Sequence, residues 1–505
     1  MSEFSHDKQH ATDVDKRLAQ LEAENARLRA ENAQLRAENS VLRAENAELR
    51  AELSALREQV QQLQRRLGLD SSNSGKPPSS DGPAKPPAEP RTRSQRGRSG
   101  KPSGGQRGHP GATLSQSETP DRVLSHLPES CAQCGAELSA EDIAGEPQRR
   151  QVFDLPPPPP LEVTEHQAQA CHCAVCGSVT RAAFPEGVSA PVQYGERIAA
   201  TAVYLQNTHF LPEERLAEVF QDLFRVSVCA ATLAGMMRKA AQGWRGFTER
   251  VRDLLVSASG VKHLDETGFR IAGRTQWLHV LSTPWLTFYR TSAQRGGLLE
   301  GLRGILVHDH WASYFKAKGV LHALCNAHHL RELEALAEID GEAWARRMQQ
   351  LLRRANRAVW IVREQGRALP RSLLERIEQR YDQLVREALA HHQALPALAS
   401  GRRGRKKRRP GHNLALRLSE RRESVLRFLR DDRVPFTNNQ AERDLRMMKL
   451  RMKISGGFRS EQGARDFATL RSVLSTARKH GLNRIEVLLQ GPAALLAKVE
   501  SQPSH

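Results

Sequence analysis

Leucine recurs at every seventh position from Leu21 through Leu28, Leu35, Leu42, Leu49 and Leu56 to Leu63. A strict seven-residue apolar repeat keeps one seam turned toward a partner helix, so residues 17–67 are predicted as a coiled coil. With the leucines at d, the a positions include Asn25, Asn32, Asn39 and Asn46. Asparagine in the seam costs stability but fixes register and favours two parallel strands. Glu24, Glu31, Glu38 and Glu45 then fall at g, and Arg29, Arg36, Arg43 and Arg50 at e. Glutamate meets arginine across the seam only if the helices run parallel, so the expected unit is a parallel homodimer. Residues 1–16 carry no such repeat and read as a disordered N-terminus.

The pattern changes several times downstream. Residues 68–120 hold few large apolar side chains and much Pro, Gly, Ser and Arg, too little apolar surface to fold, and read as a basic flexible linker. It is either a plain tether or a segment that lies along DNA phosphates. Residues 190–250 return to helical periodicity. Two patterns there, LPEERLAEVFQDLF and SVCAATLAGMMRKAAQGW, are joined around Arg225–Ser227. They read either as a helix-turn-helix with Ala231–Lys239 as recognition helix, or as an ordinary helical hairpin. Cys229 reads as a buried thiol. From about residue 258, VKHLDETGFRI, TQWLHVLST, WLTFYRT and GILVHDH read as strands separated by turn residues. Helical periodicity then fills about 325–430, interrupted near Pro370, and resumes after Thr437 with a break at Gly456–Gly457. A core over 256–470 is thus expected, followed by a C-terminal helical tail over 471–505.

Composition narrows the partner. The 505 residues include 76 Lys plus Arg against 57 Asp plus Glu, a formal charge of +19. That excess calls for a polyanion, nucleic acid before an anionic membrane. No apolar run approaches the ~20 residues of a spanning helix, and the first residues lack an apolar signal core. A cytoplasmic, nucleoid-associated protein with no membrane partner is therefore expected. Candidate phosphate contacts are Arg443, Arg446, Lys449, Arg451 and Lys453 in the last helical block. Arg402, Arg403, Arg405, Lys406 and Lys407 in GRRGRKKRRP are either further contacts or a solvated charge run.

Two cysteine pairs, Cys131/Cys134 and Cys173/Cys176, each have two residues between the thiols and a glycine after the second. That spacing lets two sulfurs meet one ion, so residues 121–185 are expected to form a structural zinc domain with four cysteine ligands. The long loop over 135–172 weakens the spacing argument. Cys171, His166 and His172 compete as ligands.

Asp265 lies inside an apolar strand pattern and Asp309 ends another. A carboxylate there costs solvation energy unless it is paired or bound to a cation. Two such strands side by side, with Glu442 from the helix in TNNQAERDLRMMKLRMK, would offer three carboxylates to hard ions. Thr437 or Asn438 would cap that helix. This is the donor set of two-metal phosphoryl transfer, in which two Mg²⁺ or Mn²⁺ ions about 4 Å apart serve the attacking and leaving oxygens. Glu266, Asp444 and Glu461 are rival acids.

With these residues in view, the chain resembles transposases of the insertion sequence sixty-six family over nearly its whole length. The resemblance is carried by HLDETGFRI, GILVHDHWASY, LCNAHHLREL, PFTNNQAERDLRMMKLRMKISGGFRSEQGA, the linker pieces SSNSGKPPSSDG and GGQRGHPGA, and the paired C-x-x-C. The Asn-Gln-Ala-Glu-Arg block is the specific part. The resemblance implies an α/β, ribonuclease-H-like mixed sheet with a long helical insertion and an Asp-Asp-Glu triad at Asp265, Asp309 and Glu442. Two features depart from the family pattern. Gly-Tyr often follows the second aspartate, where this chain has His310-Trp311. Residues 310–441 also form a longer spacer than a minimal core needs, opened by the Cys325-x-x-His328 element. Implied with the triad are element-end DNA as substrate, hydrolysis followed by strand transfer, and helper proteins of the same element. A non-catalytic dimeric DNA-binding regulator, or a nuclease without strand transfer, are the competing readings.

Overall fold

A computed structural model describes residues 3–69, 114–158, 160–297, 300–396, 398 and 408–501, with side chains from residue 16 onward except that of Ser54. Most of the linker and the basic run Arg402, Arg403, Arg405, Lys406 and Lys407 lie outside the described residues. In chain order the elements are α1 (Glu3–Gly68), β1 (Ala170–His172), β2 (Val179–Arg181), α2 (Glu196–Thr208), α3 (Glu213–Phe224) and α4 (Ala230–Ser257). There follow β3 (Val261–Ile271), β4 (Arg274–Ser282), β5 (Thr287–Ser292), β6 (Gly304–His308) and β7 (Val320–Leu324). The rest is helical: α5 (Asn326–Glu338), α6 (Ala343–Glu364), α7 (Arg371–Ala394), α8 (Pro410–Glu420), α9 (Arg422–Arg430), α10 (Asn439–Ser455), α11 (Glu461–Lys479), α12 (Arg484–Gln490) and α13 (Pro492–Glu500). The chain divides into two compact units, one of residues 1–88 and 323–437, the other of residues 89–322 and 438–505.

In the first unit, helices α5 to α9 occupy the segment where a helical insertion is expected. Leu333, Trp344, Met348, Leu352, Tyr381, Leu384 and Leu414 are buried among them, and the Tyr381 hydroxyl donates to the Leu418 carbonyl at 2.8 Å. Helix α1 is longer than the heptad predicts, because its backbone is already helical at Glu3, inside the segment expected to be disordered. Its leucine stripe is uncovered in the single chain, with Leu21 at 45% and Leu49 at 63% exposure. Isolated surface leucines are ordinary, but a continuous stripe is not.

The second unit is built on a mixed sheet of order β5-β4-β3-β6-β7. β3, β4 and β5 form an antiparallel meander, and β6 runs parallel to β3 on its other side. Two apolar clusters pack on the sheet. One joins α4 (Trp244, Phe247, Val251) with α11 (Leu470, Val473) and the last helices (Val487, Leu495). The other joins Phe269, Leu278 and Tyr289 of the sheet with Leu445 and Met448 of α10 and Phe467 of α11. The buried Lys262 donates from Nζ to the carbonyls of Ala258 and Arg303, tying the end of α4 to the entry of β6.

One boundary and one thiol's exposure differ from the sequence pattern. Residue 471 falls in the middle of α11, whose residues 470–477 are buried without a break. What looked like a tail therefore begins inside the core, because a helix buried on every side loses the polar stripe that marks an amphipathic one. The helix proposed for groove recognition, Ala231–Lys239, forms the first turns of α4 and buries Leu233 and Met237. It follows a tight turn in which Arg225 adopts φ 57°. Cys229 is exposed rather than buried. It precedes the first buried position of α4, and its Sγ lies 3.1 Å from the Thr232 hydroxyl.

Candidate active site

The parallel pairing of β3 with β6 sets Val261 opposite Ile305, Lys262 opposite Leu306 and His263 opposite Val307. The same offset carried two residues further brings Asp265 level with Asp309, just past the end of β6. Each carboxylate is held by a nearby backbone amide. The Glu266 N–H donates to Asp265 Oδ1 at 2.8 Å, and the Trp311 N–H donates to Asp309 Oδ1 at 2.9 Å. Glu442 lies in the first turn of α10. Burial, and after it the Asp309 carboxylate, push the Asp265 carboxyl well above its ordinary range; Glu266 and Glu442 act in the same direction. Asp309 and Glu442, both far from Asp265 in sequence, thus lie near enough to act on its charge, although among the described residues the carboxylates of Asp265, Asp309 and Glu442 do not all lie within 4.8 Å of one another.

Helix α10 reaches this position because it is tied to β3 at both ends. At its start, the Asn438 side chain caps no helical amide. Instead its Oδ1 accepts from His263 Nδ1 at 2.9 Å, and its Nδ2 donates to the Leu264 carbonyl at 2.9 Å. Asn438 thus spans the two residues that precede Asp265. The helix-capping role expected of it yields to this bond with the strand. At the far end, the Phe458 N–H donates to the Arg270 carbonyl and its carbonyl accepts from the Ala272 N–H. A Cβ at Gly457 would lie 2.7 Å from the Arg270 carbonyl oxygen, so only glycine allows that approach.

The rival acids separate by environment. Asp444 pairs with Lys479 at 2.9 Å, and its carbonyl accepts from the Tyr289 hydroxyl at 2.6 Å. It fastens α10 to α11 and β5. Glu461 is exposed and paired within its own helix to Arg465. Glu266 stays at the site, its side chain 1% exposed and paired to Arg295 at 2.7 Å. Beside Asp309, the buried His308 ring donates from Nδ1 to the Asp309 carbonyl and places Nε2 2.9 Å from His322 Nδ1.

Among the basic candidates on α10, Arg443, Arg446, Lys449 and Lys453 are exposed. Arg446, Lys449 and Lys453 follow Glu442 at intervals of four, three and four, which puts them on one helix face with it. Arg451 is different. Its guanidinium lies 3.6 Å over the Phe458 ring and donates to the Gly456 carbonyl at 3.0 Å, and burial lowers its pKa to about 10. It braces the end of α10.

The cysteine pairs form two matching turns. In each, the N–H of the glycine donates to the carbonyl of the first cysteine, and that cysteine's N–H donates to a carbonyl past the glycine. Gly135 and Gly177 take φ 78° and 71° there. The Ser178 hydroxyl and amide lower the Cys176 thiol to about 7, with the Cys173 thiol adding to the effect. Amides of Cys134 and Gln133 lower that of Cys131. Such thiols suit a thiolate-binding ion. Among the described residues, the four sulfurs do not all lie within 4.8 Å of one another.

The second unit is thus a mixed α/β fold with acids on neighbouring strands, and carboxylate oxygens are the donors that hard cations take. The profile of the Transposase IS66 family matches residues 191–466, more than half of the chain, and the chain belongs to that family. It is a transposase, a class whose partner is DNA. A second profile, a family of unknown function (DUF6444), matches residues 15–115. No curated protein matches the chain. Among the described residues, no helix is long and apolar enough to cross a membrane.

Replacing Asn438 with alanine strands a buried His263 donor and the Leu264 carbonyl. Unfolding in urea is expected to report a loss of about 1–3 kcal/mol. A midpoint equal to that of the unaltered protein would mean that the strap does not hold α10.

Proposed function

We propose that this transposase cuts and rejoins element-end DNA by metal-dependent phosphoryl transfer, with Asp265, Asp309 and Glu442 as the acidic triad. The observation that carries the reading is how the sheet pairing and the tie between α10 and β3 place these acids. Two come from neighbouring parallel strands and the third from a helix tied to the first strand. The sheet order, with a meander whose first strand pairs in parallel with the fourth, supports a ribonuclease-H-like core.

The donor set fits the ions. Carboxylates suit Mg²⁺ or Mn²⁺, and a buried acid that resists ionisation, as Asp265 does, gains most from a divalent cation. When bound, the ions supply Lewis acidity to the attacking and leaving oxygens. The protein's own residues do the rest. The Glu266 and Trp311 amides orient the two aspartates, and Asn438 sets Glu442 against β3. Arg446, Lys449 and Lys453, continuing the face of Glu442, would neutralise phosphates leading away from the site, with Arg443 beside them. Water attacks one phosphodiester, and the freed 3′-hydroxyl attacks a second. Both are in-line displacements that one arrangement of carboxylates can serve.

Incubation of the full chain with labelled end DNA and Mn²⁺ tests the reading. Nicking with joining is expected; nicking alone would mark a nuclease, and binding alone a regulator. Asp265→Asn should lower nicking by at least about 100-fold, since a metal-binding carboxylate is lost, while DNA binding persists. Undiminished nicking by that variant would remove Asp265 from the triad.

The uncovered leucine stripe of α1 supports a parallel homodimer, which would hold two element ends together. Sedimentation of the full chain should show a dimer, and Leu35→Glu with Leu42→Glu should shift it toward monomer. A dimer that survives both changes would place the interface elsewhere.

The twin knuckles support a structural zinc that draws both turns into one Cys₄ site of Cys131, Cys134, Cys173 and Cys176. Metal analysis of the purified protein should find one zinc per chain, lost in Cys131→Ser and on strong chelation. A full zinc content in that variant would exclude Cys131 as a ligand.

A further inference from the structure

Arg295 belongs to none of the sequence motifs and lies in the turn that follows β5. Its Nε donates to Glu266 Oε1 at 2.7 Å. Its guanidinium lies 3.8 Å from the centroid of the Trp311 ring and 5.0 Å from that of Trp277. Glu266 and Trp311 are the two residues whose backbone amides hold the candidate aspartates, at 2.8 Å to Asp265 and 2.9 Å to Asp309. One side chain therefore grips both amide-bearing residues, one by charge and the other by stacking.

We propose that Arg295 is a positioning residue, a clamp that sets the spacing of the Asp265 and Asp309 carboxylates and so the affinity of the site for divalent cations. The inference rests on the reading of those aspartates as metal ligands.

Three physical features support the clamp. First, the Glu266 carboxylate is buried, and its Oε2 makes no hydrogen bond among the described residues. Losing Arg295 would leave a buried charge without its cation, a far larger penalty than breaking a surface pair. Second, arginine offers a planar cation that can stack on an indole while donating in its own plane; lysine cannot do both. Third, the loop is built to press against the segment after Asp309. Gly296 has φ 81°, and a Cβ there would lie 2.6 Å from Ser313 Cβ and 3.0 Å from Trp311 Nε1. The Gly297 carbonyl accepts from the Arg290 guanidinium at 2.7 Å, which fixes the loop to β5.

The test is Mn²⁺ binding by the full chain, followed by electron paramagnetic resonance of the free ion. DNA binding without added metal is measured in parallel. Asp265→Asn reports on the ligand reading itself. Arg295→Ala is expected to weaken Mn²⁺ binding by about 10–100-fold, the range typical of residues that orient metal ligands. Arg295→Lys should recover part of that loss. Gly296→Ala keeps every charge but displaces the loop, and should weaken Mn²⁺ binding in the same direction. DNA binding without metal should be unchanged throughout. If Arg295→Ala fails to fold by circular dichroism, the lysine and Gly296 variants decide the matter. Wild-type Mn²⁺ binding by the Arg295 and Gly296 variants, with loss in Asp265→Asn, overturns the clamp and leaves the ligand reading standing. Wild-type binding by Asp265→Asn overturns the ligand reading and the clamp with it. Reduced DNA binding by Arg295→Ala with Mn²⁺ binding intact would make Arg295 a DNA contact and overturn the clamp.

Discussion

Strand β3 carries the constraint on which the candidate site depends. Its parallel pairing with β6 brings Asp265 level with Asp309. Its hydrogen bonds at both ends hold α10, and with it Glu442, over the same stretch. A one-residue slip in either pairing would turn Asp265 to the other face of the sheet, because side chains alternate along a strand. The meander with β4 and β5 and the apolar clusters on the sheet work against that slip. Fold stability and site geometry are thus the same problem in this unit.

Clustering acids in a buried place works against stability, since each carboxylate raises the cost of ionising the next. The surroundings offset this locally. Backbone amides serve Asp265 and Asp309, and a stacked arginine serves Glu266. His308 donates to the Asp309 carbonyl. Asp444, another acid only two positions from Glu442, is paired with Lys479 and belongs to the scaffold.

The rest of the chain uses different physics for different tasks. Helix α1 carries a repeated leucine stripe with no cover in the single chain. The knuckles rely on backbone geometry, with amides turned onto sulfur in two copies of one turn. The α5–α9 unit relies on ordinary helix packing around buried aromatic and aliphatic side chains. The basic residues of α10 divide along similar lines. Arg446, Lys449 and Lys453 face solvent in line with Glu442, while Arg451 is absorbed into an aromatic brace.

Period and local chemistry were legible in the chain itself. The heptad, the strand alternation around Asp265, the apolar run ending at Asp309, the glycine break after α10 and the C-x-x-C-Gly turns all depend on near neighbours in sequence. The family motifs point to Asp265, Asp309 and Glu442. Long-range choices were not legible. Asn438 has the side chain of a helix cap, and only the approach of β3 turns it to His263 and Leu264 instead. Arg451 is one cation among several in its helix until Phe458 and Phe467 close over it. Residue 471 passes for the start of a tail until residues 470–477 of α11 are seen to be buried without a break. Arg295 carries no signal at all, because its partners Glu266 and Trp311 are neighbours only in space. Local preference is written in consecutive residues, whereas the pairing of a polar side chain is settled by which distant surface arrives beside it.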